Sequence, residues 1–179
     1  MNASIRLVAM FTVVALLMLV VPAAAQNETV KTRLTGYQET PLTISSPASG
    51  EFSAKIHGLA IDYELSYEGL SAPITQAHIH FGRPAITGGI VLFLCTNLTP
   101  PAGVPTPQAC PAPPATITGT LTSADVIAVP GQGIDSGAAG FAEILDAIRA
   151  GAAYVNVHTT AHLPGEIRGG LRLQKANNH

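Results

Sequence analysis

The sequence predicts an all-β chain, an antiparallel sandwich or barrel carrying one short packed helix. Three observations predict it. Apolar and polar residues alternate with period two over several short segments, as side chains on half-buried strands do. Gly, Pro, Ser and Asn clusters punctuate those segments at turn-like spacing. One stretch alone, Ala138 to Ala150, carries a convincing helical period. Charged residues make up only 11% of the chain, and low charge with much Gly, Pro and Thr suits an extracellular β module.

Each element follows from its own pattern. Val30 to Leu34 reads as a first strand, and Ser45 to Gly50 as a turn cluster. Glu51 to His57 points Phe52, Ala54 and Ile56 inward. Ile61 to Tyr67 does the same with Ile61, Tyr63, Leu65 and Tyr67, and Gly58-Leu59-Ala60 suits a hairpin between the two. Thr75 to Phe81 follows. Ile90 to Leu94 is a continuous apolar run, read as a strand buried on both faces, and Thr116 to Leu121 alternates again. Thr122 can cap a short helix over Ser123 to Ala128, with Asp125 well placed in its first turn. In Ala138 to Ala150, Phe141, Ile144, Leu145 and Ile148 form one stripe, and Gly151 supplies the stop. The last two strands lie within Tyr154 to Leu173, joined by a short polar turn.

The N-terminus reads differently. Arg6, the apolar run Leu7 to Val21 and the small residues Ala23-Ala24-Ala25 have the layout of a signal peptide over residues 1–25. An uncleaved anchor is the alternative, and Pro22 with the alanine site argues against it. The remainder, 26–179, is expected to be a single domain ordered over about 30–173. Its localisation would be extracellular or periplasmic, with no transmembrane segment after cleavage. Without Arg6 the chain has eight Lys and Arg against eleven Asp and Glu. No basic cluster is present, which speaks against nucleic acid as a partner. Cys95 and Cys110 are the two cysteines, and in an oxidising compartment they are expected to pair. A metal-ligand role for them lacks any CxxC spacing. Pro100, Pro101, Pro105 and Pro107 lie between them, and tying off such a loop is worth about 3 kcal/mol. Asn27 and Asn97 begin glycosylation sequons in form.

Strand parity yields one candidate site. Gln76, His78 and His80 share a face opposite Ala77, Ile79 and Phe81. Tyr154, Asn156 and His158 share one opposite Val155 and Val157, and Glu166 and Arg168 alternate with Ile167. If the three strands are near neighbours, His78, His80, Asn156, His158, Glu166 and Arg168 form one polar patch on the outer face of a sheet. His-x-His on a strand places two imidazoles on one side, about 7 Å apart at Cα. Imidazole suits Zn and Cu. His158, with His162 or Glu166, could complete a ligand set. Asn156 and Arg168 could instead hold a carboxylate or other anion. His57 and His179 lie outside the pattern. Nothing resembles a nucleophile elbow, and no carboxylate pair is identifiable.

Taken together, the motifs resemble the CHRD domain, a module first described in chordin and widespread in secreted microbial proteins. The matching pieces are Leu34 to Pro41, Ser49 to Phe52, Ile61 to Leu70, Ala77-His78-Ile79-His80 and Ile117 to Asp125. Tyr154 to Thr159 and Gly165 to Gly169 complete them. The resemblance implies a secreted, immunoglobulin-like β-sandwich and no particular enzyme activity. Cys95 to Pro114 and Val129 to Gly140 look like insertions, and the cysteine-rich modules of chordin have no counterpart here. His78-Ile79-His80-Phe81-Gly82 also resembles the His-x-His metal strand of copper-zinc superoxide dismutases, whose sandwich carries its copper on the outside. The expected fold is thus an immunoglobulin-like, superoxide-dismutase-like antiparallel β-sandwich with one short packed helix. The expected function is a secreted, non-enzymatic binding or structural module whose partner is an extracellular protein or small ligand. The alternative is an extracellular Zn- or Cu-binding protein, which could be redox-active.

Overall fold

The structure is a computed structural model that describes residues 28–100 and 102–174. The signal peptide, the Asn27 sequon and His179 lie outside the described residues. The described residues form eight strands: β1 Glu28–Thr35, β2 Ser49–His57, β3 Ala60–Glu68, β4 Ile74–Phe81, β5 Gly89–Thr96, β6 Ala115–Leu121, β7 Ala153–Thr159 and β8 Ile167–Gly170. Among the described residues a single α-helix, α1, spans Gly137–Arg149. Every strand pairing is antiparallel, in the order β5-β4-β7-β8-β1-β2-β3-β6. No helix among the described residues is long and apolar enough to cross a membrane.

The alternation in the sequence sets the burial. Phe52, Ala54 and Ile56 are buried, as are Ile61, Tyr63, Leu65 and Tyr67, while their neighbours face out. Both strand sets feed one apolar cluster with Ile79, Leu92, Leu94, Val155, Val157 and Ile167. The sheet therefore wraps around its own core, and β1 meets β8 through only one residue pair, Thr35 with Arg168. Ile90 is half-buried and Phe93 likewise, so β5 is less enclosed than its apolar run predicts. Thr122 does cap the segment that follows it, but only one 3-10 turn forms, Ser123–Asp125. Val126 leaves the helical conformation and turns into the core, which ends it. The α1 stripe Phe141, Ile144, Leu145 and Ile148 is buried, and Arg149 ties the helix end to Glu28 on β1.

The proline-rich excursion closes the wrap. Cys95 and Cys110 are joined by a disulfide. Gln108 lies between the two edge strands: its carbonyl accepts from Thr96 N of β5, and its Nε2 donates to Thr118 O of β6. Tyr63 Oη donates to Leu94 O across the same seam. Asn97 Nδ2 donates to Ile74 O and Cys110 O while its Oδ1 accepts from Cys110 N. The amide of the Asn97 sequon is thus committed to clamping the loop.

Candidate functional site

The strand order β4-β7-β8 makes the three polar strands direct neighbours. His78 pairs with Asn156, His80 with Tyr154 and Gln76 with His158, and Asn156 pairs onward with Arg168. Two register shifts interrupt the β4–β5 ladder beside Ala77/His78 and Ile79/His80. Such bulges re-aim side chains next to them. The three rings gather: centroids of His78 and His158 are 4.8 Å apart, those of His78 and His80 5.4 Å, and those of His80 and His158 5.9 Å. One nitrogen from each lies within 4.8 Å of the others.

The sequence places this patch on the outside, and there the structure differs. Its parity is as expected, yet His78 and Glu166 are fully buried and Asn156 and Arg168 nearly so. Three connections roof the sheet. The segment after β1 brings Glu39 onto Asn156, with Nδ2 donating to both carboxylate oxygens at 3.0 Å, and Thr40 onto Arg168. The β4–β5 connection supplies Gly88 O to His80 and Ile86 O to Arg168. The β7–β8 connection supplies Leu163 O to His158. Two glycines permit the close fit. A Cβ at Gly88 would come 1.8 Å from Phe81 O, and Gly165, at φ +137°, lays its backbone on the Asn156 amide.

The hydrogen bonds determine where the ring protons are. A carbonyl only accepts, so Nδ1 of His80, 3.0 Å from Gly88 O, carries a proton. So does Nδ1 of His158, 2.8 Å from Leu163 O. In a neutral ring the other nitrogen is then bare. His80 Nε2 is buried with no partner among the described residues, and His158 Nε2 faces His78 Nδ1 at 3.1 Å. His78 has two arrangements: Nε2–H donating to Gln76 Oε1 at 3.0 Å, which leaves Nδ1 bare, or Nδ1–H donating to His158 Nε2 at 3.1 Å. Burial, with repulsion from the neighbouring histidines, drives the His78 pKa down to about 2. Burial lowers His80 to about 4 and lowers His158 as well. All three rings are neutral near pH 7.

The other expected residues are placed differently. Burial alone would raise the Glu166 carboxyl, but donors from Ser46, Ser71 N and Thr159 outweigh it and hold its pKa low. Both its oxygens are engaged there, away from the three rings. His162 is half-buried and stands outside the cluster. Arg168 lies over Tyr154, its guanidinium carbon 3.4 Å from the ring centroid, and Tyr154 in turn stacks on His80 at 4.7 Å. Glu39 was legible only as part of a motif. It is buried, and burial raises its pKa to about 7 against the lowering pull of Asn156 and Arg168. The carbonyls of Gly88 and Leu163 leave no side-chain signal to read. No curated protein and no solved structure matches the chain. The family model for the CHRD domain, however, matches residues 30–171, most of the chain, and the protein belongs to the CHRD domain family.

Proposed function

We propose that this CHRD domain is a secreted binding module whose ligand is a transition-metal ion, Zn2+ or Cu2+, held by His78, His80 and His158. One observation carries the reading: one nitrogen from each of three buried imidazoles lies within 4.8 Å of the others, while the opposite nitrogens of His80 and His158 are fixed on backbone carbonyls. Metal-ligating histidines are oriented in this way by a carbonyl or carboxylate on their second nitrogen. Two ligands at 2.0–2.1 Å in a tetrahedral site stand about 3.3 Å apart. The 3.1 Å separation of His78 Nδ1 and His158 Nε2 is close to that. Deprotonated rings also avoid the proton release that binding otherwise requires. Three protein ligands leave a fourth position for water or a further group. The disulfide and the N-terminal sequence support secretion.

The test is a titration of protein made without a histidine tag and stripped with chelator. One equivalent of Zn2+ or Cu2+ should bind, and at a hundredfold excess over Kd the gain in stability is about 2.7 kcal/mol. His80→Asn and His158→Ala should each remove the gain, with circular dichroism confirming that the variants fold. The competing arrangement has His78 Nδ1–H donating to His158 Nε2 in a closed pair. Nitrogen-15 spectra that show a proton on His78 Nδ1, unchanged by either metal, would end the proposal.

A further inference from the structure

Beyond the histidines, on the other side of Tyr154, the sheet carries a cleft of about 830 Å³. Lys31, Arg168 and Arg172 line it, with Glu39 as its single acidic residue. We infer that this cleft binds a small ligand bearing an oxyanion, with Arg168 as its anchoring cation. Arg168 is 3% exposed, yet it forms no ion pair among the described residues. Its direct contacts are the Thr40 hydroxyl, the Ile86 carbonyl and the face of Tyr154, all uncharged, and the nearby Glu39 carboxyl acts on it without an ion pair. A buried charge is ordinarily paired, because its desolvation is otherwise uncompensated. A guanidinium has five N–H donors, and these contacts occupy only two of them. The remainder suit a carboxylate, sulfate or phosphate, which guanidinium binds through paired donors.

The surroundings reinforce this. Glu39 is hydrogen-bonded to Asn156 and is the carboxyl that acts on Arg168; with burial raising its pKa to about 7, it offsets that charge only in part. Lys31 reaches Glu51 at 3.8 Å, a contact between two exposed side chains that leaves the ammonium available. The molecule as a whole is negative, so a basic cleft on it is a local feature and not a consequence of composition. Its volume matches sites for sugar-sized molecules. At the rim Tyr37 is 71% exposed, a flat apolar ring beside the charge. The inference does not depend on metal at the histidines.

The experiment uses the full chain in chelator at low ionic strength, titrated calorimetrically with D-glucuronate, inorganic phosphate and sulfate. Saturable binding of at least one is expected. Glucuronate alone identifies a carboxylate site, and all three together a general oxyanion site. Lys31→Gln and Arg172→Gln sit on exposed positions and should keep the melting temperature. Each should weaken binding about three- to tenfold, as loss of one partly screened charge does. Arg168→Gln should abolish binding, and if it fails to fold the two surface variants still decide. No saturable binding of any anion at about 20 mM, which excludes Kd in the usual millimolar range, would overturn the inference. So would a Lys31→Gln/Arg172→Gln double variant that binds like the parent.

Discussion

Replacing Glu39 by Gln should make the fold more stable than the parent at neutral pH and above, and less distinguishable from it in acid. The carboxyl has a pKa near 7 in the fold against 4.5 ordinarily. Between those values the native state holds a proton that the unfolded chain has lost. Stability supported by this group is therefore complete below about pH 4.5 and falls as pH rises through 7. A shift of that size, at 1.36 kcal/mol per unit, corresponds to about 3 kcal/mol. Gln is a neutral isostere and escapes the loss. It also brings a donor to the neighbourhood of Asn156 Oδ1, which is buried and has no partner. The histidines act in the opposite sense. Their folded pKa values are depressed, so their contribution is present above about 6.5 and is lost as pH falls. Both proteins share that slope, and it cancels in the difference. Urea denaturation in chelator at pH 5, 6, 7 and 8, extrapolated linearly, gives the two curves. The gap should widen in favour of Glu39→Gln as pH rises. Parallel curves, differing by less than about 0.5 kcal/mol over the range, would refute a buried, proton-holding Glu39.

Two further outcomes follow from the packing. Leu145 is 4% exposed in the α1 stripe, so Leu145→Ala should cost about 2–5 kcal/mol in the same denaturation assay, and a cost near that of a surface change would place α1 off the core. Cys95 and Cys110 should resist alkylation until reduced, and the double Ser variant should lose about 3 kcal/mol; two reactive thiols in the untreated protein would contradict the bridge.

Period two carried most of the fold. The parity of Gln76 to Phe81 and of Tyr154 to His158 put His78, His80 and His158 on one face without any structure, because a slip of one residue would bury charge in the core. What parity cannot see is what lies above a face. The roof comes from residues 36–46, 82–88 and 160–165, which have no period, and three of its decisive contacts are backbone carbonyls. The burial of the patch was therefore invisible. Glu166 illustrates the same limit: its parity was legible, but Ser46 and Ser71, which both donate to its Oε1, lie in connections where no pattern announces a partner. Thr122 shows local signals outrun by tertiary ones. Its capping box is present, yet a core position for Val126 is worth more than further helical turns.

The seam at Gln108 has a consequence for how the molecule behaves in company. Wrapped sheets that stop short of closure leave two strands with open backbone, and such strands recruit copies of themselves. Here one glutamine and one bridged loop occupy both open strands at once. The bridge thus works alongside the Gln108, Tyr63 and Asn97 contacts that hold the same seam. The safest place for this protein to finish folding is one where its two cysteines can meet before its neighbours do.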